Sequence, residues 1–185
     1  MQKRNLISVI IPTHNHYSRD TDLFNLIQSL LFPSNADFIG EIIVVDNGNS
    51  VKADKFEILN KKIKVVFESK IGLNHARNMG VANATFDIIS FVDDDITVSP
   101  TWAGSIMNGH SHNVFCVGGP VLVDSKESIK YPYWFSDYFL KFLLPPIFPV
   151  CAGVIQPPYF LIGANMSFKR KIFDKFNLFD IELDR

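Results

Sequence analysis

Leu6-Ile7-Ser8-Val9-Ile10-Ile11-Pro12, followed by Leu23, Leu26, Ile27, Leu30 and Leu31, is the stretch that decides the fold. The first run is apolar, β-branched and continuous, which predicts a strand buried on both faces and stopped by Pro12. The second set recurs at i, i+3, i+4, i+7 and i+8, the apolar stripe of an amphipathic helix. Asp20 is placed to cap its start and Pro33 to end it. The same change of period repeats along the first hundred or so residues. Residues 42–45 (Ile-Ile-Val-Val) predict a second strand running into the turn residues Asp46-Asn47-Gly48. A short helix over 52–60, a third strand over 63–67, a helix over 73–83 and a fourth strand over 86–92 follow. Ala76, Gly80 and Ala82 make the 73–83 helix small enough to lie close on a sheet, and Ser99-Pro100 opens a further helix with proline at its favoured first position. Continuously apolar strands alternating with helices imply an α/β fold whose mainly parallel sheet is covered on both faces.

Beyond about residue 110 the alternation weakens. Residues 114–123 read as a strand containing Gly118-Gly119-Pro120, and 159–168 as a strand-like run around Gly163-Ala164-Asn165. Between them, residues 131–160 are aromatic and rich in proline. They read either as a packed excursion or as an apolar platform, with Tyr133, Trp134 and Tyr138, for a binding partner or a membrane surface.

The 185 residues suit one domain with a sizeable core. With 47% hydrophobic and 20% charged residues the composition excludes disorder. A net charge of −1, from 18 basic and 19 acidic side chains, leaves no excess to neutralise a nucleic-acid backbone, so that partner is excluded. Cys116 and Cys151 match no metal or redox spacing and read as small buried hydrophobes in a reducing cytosol. The sequons at Asn83 and Asn165 read as chance, with nothing to suggest secretion. The apolar stretch after Met1-Gln2-Lys3-Arg4 is too short for a signal peptide. The stretch over 142–155 is cut by Pro145, Pro146 and Pro149 and is too short to span a bilayer. The expected location is therefore cytoplasmic, with peripheral contact at the inner face of a membrane through the aromatic segment. Seventeen phenylalanines are the one compositional oddity.

In parallel α/β sheets ligands bind beyond the carboxyl ends of the strands. Those ends carry Thr13-His14-Asn15, Asp46-Asn47 and Asp93-Asp94-Asp95. Three aspartates abutting a buried strand are the most informative of these. Alternation along an extended chain sends Asp93 and Asp95 to one side and Asp94 to the other, and two such carboxylates suit a hard divalent cation. The other reading is a turn cluster before the next helix. No glycine-rich phosphate loop of either common type occurs, and the spacing does not fit an EF-hand. His14, His16 and His75 read as polar loop residues rather than ligands.

Ser8-Val-Ile-Ile-Pro-Thr-His-Asn15, Glu41-Ile-Ile-Val-Val-Asp-Asn-Gly48, Gly72-Leu-Asn-His-Ala-Arg-Asn78, Phe91-Val-Asp-Asp-Asp95, Pro100-Thr-Trp102 and Gly163-Ala-Asn-Met-Ser-Phe168 resemble, in order, the motifs of the family 2 glycosyltransferases. The resemblance implies a GT-A type fold, a Rossmann-like α/β/α sandwich that binds a nucleotide-diphospho-sugar with Mn²⁺ or Mg²⁺. It implies that Thr13, Asn15, Asp46, Asn47, Arg77, Asp93 and Asp94 line the nucleotide pocket, with Asn47 standing where the family often has a second aspartate. Gly163, Ala164 and Asn165 would face the donor sugar and the acceptor, a saccharide or a lipid-linked saccharide. Asp93 and Asp95 would hold the metal, Asp95 as the direct ligand and Asp93 nearer the ribose. Electrostatics agrees, because bare aspartates beside a diphosphate repel it by about 4 kcal/mol per pair of unit charges at 4 Å, and a cation between them reverses the sign.

The resemblance also implies an inverting reaction with a carboxylate base. Residues 179–185 match the segment that precedes the family's base motif, and Asp180, Glu182 and Asp184 do not match the base itself. The base is therefore expected beyond Arg185. The expected organisation is one domain over 1–185, with 1–110 as the nucleotide-sugar-binding half and 111–185 as a partial acceptor-side half. The expected activity is metal-dependent sugar transfer in polysaccharide or glycoconjugate synthesis. The alternative is a non-catalytic nucleotide-sugar-binding or scaffolding module. A sugar nucleotidyltransferase is a weaker option, since Pro12-Thr13-His14-Asn15 carries no glycine.

Overall fold

The computed structural model describes residues 6–14, 20–48, 54–111, 114–122, 153 and 161–184. In chain order these form β1 (Ile7–Thr13), α1 (Asp20–Leu30), α2 (Pro33–Ala36), β2 (Ile39–Asn47), α3 (Asp54–Glu57), β3 (Ile63–Glu68) and α4 (Leu73–Asn83). They continue with β4 (Ile88–Val92), α5 (Trp102–Ser111), β5 (Cys116–Gly118), β6 (Asn165–Lys169), α6 (Lys171–Phe176) and a 3-10 turn at Ile181–Leu183. Asn15, His16, Cys151 and the aromatic residues 131–152 and 154–160 lie outside the described residues, as does the side chain of Asp20.

The strands form one six-stranded sheet in the order β3-β2-β1-β4-β6-β5. β1 runs parallel to β2 and β4, and β2 parallel to β3. β6 is antiparallel to both β4 and β5. The mainly parallel α/β sheet expected from the apolar strands is present. Its antiparallel portion is made by β6, which follows the aromatic segment and runs against both β4 and β5, the latter preceding that segment.

Side-chain alternation divides the core between the two faces. Ile7, Val9 and Ile11 of β1 and Ile42 and Val44 of β2 pack against Leu23, Leu26, Ile27 and Leu30 of α1 and Trp102, Ala103 and Ile106 of α5. On the opposite face Ile10, Ile43, Val45, Ile89 and Phe91 meet Ala76 and Val81 of α4, and Met166 of β6. α4 can sit this close because a Cβ at Gly80 would overlap Cγ2 of Ile10.

Several prolines act differently from expectation. β1 continues through Pro12 to Thr13, paired with Val45 and Asp46 of β2. Its register with β4 ends at Ile10, so Pro12 lies where one ladder has already opened, and a missing N–H is tolerated there. Pro33 begins α2 instead of merely closing α1. α5 begins at Trp102, two residues after Pro100. The strand read over 114–123 shortens to Cys116–Gly118, and the run over 159–168 resolves to Asn165–Lys169. β5 is the edge strand, where short pairing is common.

Asn35, fully buried in α2, ties the helical layer together. Its Nδ2 donates to the carbonyls of Ser29 (3.0 Å) and Ser99 (2.9 Å), and its Oδ1 accepts from Ala103 N (3.0 Å). No local pattern marks this residue, because all three partners depend on how α1 and α5 converge. Among the described residues no helix is long and apolar enough to cross a membrane.

His110, buried at the end of α5, lies 3.0 Å (Nε2) from Ser167 Oγ, which donates to Val117 O at 3.1 Å. With its hydroxyl proton so used, Ser167 accepts, and Nε2 carries the imidazole proton. Burial, then the nearby Lys169 charge, pushes the His110 pKa below 6.5. The unfolded chain therefore binds this proton more readily, and folding stability falls as pH drops from 6.5 through the lower folded value. Thermal midpoints of wild type and His110→Gln are expected to converge as pH is lowered through that window. A constant gap between the two proteins would show that His110 is not the titrating group.

Candidate functional site

The carboxyl ends of β1, β2 and β4 meet at one edge of the sheet, as the parallel topology requires. Thr13 pairs in register with Asp46, and both are buried. The Thr13 hydroxyl donates to Asp94 Oδ2 at 2.6 Å, joining the ends of β1 and β4. The exposed His14 lies 2.6 Å (Nδ1) from the carbonyl oxygen of Asn47.

The three aspartates take three different environments. Asp94 is buried and bonded to Thr13, Asp93 is half-buried, and Asp95 is exposed. β4 ends at Val92 and a turn begins at Asp94. Strict strand alternation therefore does not carry through the triplet, and that argument for pairing Asp93 with Asp95 fails. Burial separates Asp94 from its neighbours nonetheless. Among the described residues no group of three or more His, Cys, Asp or Glu side chains gathers to hold a metal.

Asn47 is buried with its amide committed to the chain that leads into α4. Its Nδ2 donates to Lys70 O (2.6 Å) and Glu68 O (3.3 Å), and its Oδ1 accepts from Gly72 N (2.9 Å). Gly72 has φ 149°, and the place its Cβ would take is filled by the Asp184 carboxylate. A side chain is excluded there on both counts.

α4 thus delivers Arg77 to the same edge. The guanidinium lies 5.5 Å from the Phe179 ring centroid, and a Cβ on Gly163 would be only 2.6 Å from Arg77 Nη2. Burial lowers the Arg77 pKa, opposed first by Asp93 and then by Asp184. A guanidinium keeps its charge through such a shift, so a fixed cation stands beside Asp93. Asn165 pairs with Val92, the residue before Asp93. Its Oδ1 accepts from Trp102 Nε1 at 3.0 Å and its Nδ2 donates to Pro120 O at 3.3 Å, so α5 holds the loop that carries Gly163 and Ala164.

Thr13, Asp46, Asn47, Arg77, Asp93, Asp94, Gly163, Ala164 and Asn165 are therefore gathered at or beside the sheet edge. Asp95 projects from the turn, and Asn15 lies outside the described residues. The C-terminal carboxylates do something local spacing did not reveal. Asp180 Oδ1 accepts from Glu182 N at 2.9 Å, and Asp184 accepts from the backbone of Asn74 and His75.

Comparison with known proteins identifies the family and the fold. The Haloferax volcanii glucosyl-dolichyl phosphate glucuronosyltransferase is 24% identical over 97% of this chain and 57% of its own length. Polypeptide N-acetylgalactosaminyltransferase 8 of Drosophila melanogaster is 32% identical over 55% of this chain and 18% of its own. The solved mannosyltransferase PcManGT from Pyrobaculum calidifontis, in complex with GDP-Man and Mn²⁺, aligns with a TM-score of 0.63 at 19% identity, over 98% of this chain and 49% of that one. S. aureus TarS gives 0.61 at 19% identity, over 97% and 52%. The two solved structures share the fold, GT-A, and this chain spans about half the length of these full-coverage matches. The family described as Glycosyl transferase family 2 matches residues 8–176, so this chain belongs to it.

Proposed function

We propose that this chain binds a nucleotide-diphospho-sugar at the carboxyl edge of its sheet and serves transfer of the sugar to an acceptor hydroxyl. The observation that carries the reading is the convergence there of a buried acid (Asp46), a fixed cation (Arg77) and the half-buried Asp93. Asp46 would accept hydrogen bonds from the base or ribose, and Arg77 would face the diphosphate. Gly163, Ala164 and Asn165 would line the sugar. We assign residues 1–110 to donor binding and 111–185 to the acceptor side.

Asp93 and Asp95 fit a divalent cation in donor chemistry, since both offer only oxygen and flank the buried Asp94. A cluster of three side chains is not needed for Mg²⁺ or Mn²⁺, which take one or two carboxylates and complete their shell with substrate phosphates and water. When bound, the metal would neutralise the diphosphate and act as a Lewis acid toward the departing nucleoside diphosphate. The reaction would be an inverting displacement in which the acceptor hydroxyl oxygen attacks the anomeric carbon, its proton passes to a carboxylate base and the bond to the departing nucleoside diphosphate breaks.

The Haloferax relative's name includes a dolichyl-phosphate-linked sugar, which supports a lipid-linked acceptor. Calorimetric titration of UDP-, GDP- and dTDP-sugars with Mn²⁺, repeated in EDTA, tests the donor reading. Binding of one of them with Mn²⁺ and its loss in EDTA is expected. Equal affinity in EDTA removes the metal from the site, and no binding by any nucleotide-sugar overturns the reading.

A further inference from the structure

We infer that Asp184 is a positioning residue for the donor site: by gripping the first turn of α4 it fixes the Arg77 guanidinium between Phe179, Gly163 and Asp93. The inference rests on the donor-site reading only for what Arg77 does, and on the geometry alone for how Arg77 is held.

Residues 179–184 form a strap along α4. Asp184 Oδ1 and Oδ2 accept from Asn74 N at 2.8 and 2.9 Å, and Oδ2 also accepts from His75 N at 3.1 Å. Asn74 Nδ2 donates to Asp180 O at 2.8 Å. One turn further on, Asn78 makes a reciprocal pair with the Phe179 backbone, Nδ2 to O and N to Oδ1, both at 2.9 Å. Arg77 follows Asn74 by three residues, on the neighbouring ridge of the same helix face, and its guanidinium lies over the Phe179 ring. Its Nε is buried and makes no hydrogen bond within the described residues. The guanidinium is thus located by packing against Phe179 and Gly163, with the charges of Asp93 and Asp184 opposing the effect of its burial, and not by hydrogen bonds at Nε. Asp184 contributes the carboxylate that comes from the strap.

Asp184 offers two separable things: oxygens for backbone N–H groups and a negative charge toward Arg77. Asparagine keeps one acceptor oxygen, which in the Oδ2 position still takes the N–H groups of both Asn74 and His75, and is itself a good cap. Asp184→Asn therefore removes the charge and one of the three contacts. A purely structural cap would be rescued by that change, and a positioning charge would not.

The test has two arms on the same 185-residue chain. In the first, the Arg77 Nε–Hε NMR cross-peak, assigned by its loss in Arg77→Ala, is compared between wild type and Asp184→Asn. A shifted or broadened peak is expected in a variant that still unfolds cooperatively, with a melting temperature lowered by the loss of the charged acceptor. In the second, Mn²⁺-UDP and Mn²⁺-GDP binding is measured for wild type, Asp184→Asn, Arg77→Ala and the double variant. About a tenfold weakening by Asp184→Asn in the wild-type background, and none in the Arg77→Ala background, is expected. An unmoved cross-peak overturns the inference, and so does an equal loss in both backgrounds. If wild type binds neither nucleotide, the donor-site reading falls, and the cross-peak alone decides whether Asp184 positions Arg77.

Discussion

Asp95→Asn is expected to weaken Mn²⁺-dependent nucleotide-sugar binding by about 10²- to 10³-fold while leaving the fold intact. A carboxylate near a divalent ion at about 4 Å is worth roughly 4 kcal/mol per unit charge pair at an effective dielectric near 20, and each 1.4 kcal/mol is about a tenfold change in affinity. Asp95 is exposed, so its substitution should change stability by no more than about 0.5 kcal/mol. Asp94→Asn makes the informative contrast. That side chain is only 6% exposed and accepts the Thr13 hydroxyl at 2.6 Å. Breaking a charge-assisted bond there should cost about 1.5–3 kcal/mol of stability, with Mn²⁺ dependence retained in the protein that remains folded. Titrations with and without EDTA, beside urea unfolding, read the two effects separately. If Asp94→Asn abolishes Mn²⁺ dependence and Asp95→Asn does not, the metal assignment is wrong.

The contrast shows which parts of the site were legible. The helix read over 73–83 and the apolar strands depend on local periodicity, which the fold respects, so Arg77 and the Asp93–Asp95 turn could be set at one edge from topology alone. The environments within the triplet could not. Alternation holds only while the backbone stays extended, and the chain turns at Asp94, where the Thr13 hydroxyl from the neighbouring strand is waiting. Asn47 looked like a substitute in a base-binding pair, yet its amide braces the loop into α4 through partners 21 to 25 residues away. Asp184 lies in a segment that matches the one before the family's base motif, but it matches no assigned role. Its hydrogen bonds lie 109 and 110 residues back along the chain, a separation at which no spacing rule operates.

Phe91→Ala is expected to be the most damaging single core change, and it gives the phenylalanine-rich composition a physical meaning. Phe91 is 1% exposed on β4, directly before Val92 and the aspartate turn. Its ring centroid lies 6.1 Å from Phe168, 6.3 Å from Phe173 and 5.2 Å from Phe179, all edge-to-face. Phe168 and Phe173 close the cluster at 5.6 Å, and Phe173 and Phe179 at 5.7 Å. These four rings weld β4, β6, α6 and the C-terminal strap into one unit, beneath Arg77. Truncating a buried phenylalanine costs about 3–5 kcal/mol in transfer and cavity terms, which is comparable with the whole stability of a domain near the lower end of about 5–15 kcal/mol. The edge-to-face contacts push the loss toward the upper end of that range. Phe67, 55% exposed on β3, serves as the control, and Phe67→Ala should stay within about 0.5 kcal/mol. Urea unfolding of both variants measures the difference. A second consequence follows from the strap: Phe91→Leu, which keeps most of the volume and should cost under about 2 kcal/mol, still removes the ring against which Phe179 packs. The Arg77 Nε–Hε signal should therefore move in Phe91→Leu although the substituted residue lies on the sheet. If that signal stays in place, the aromatic cluster supports the fold without setting the geometry of the site.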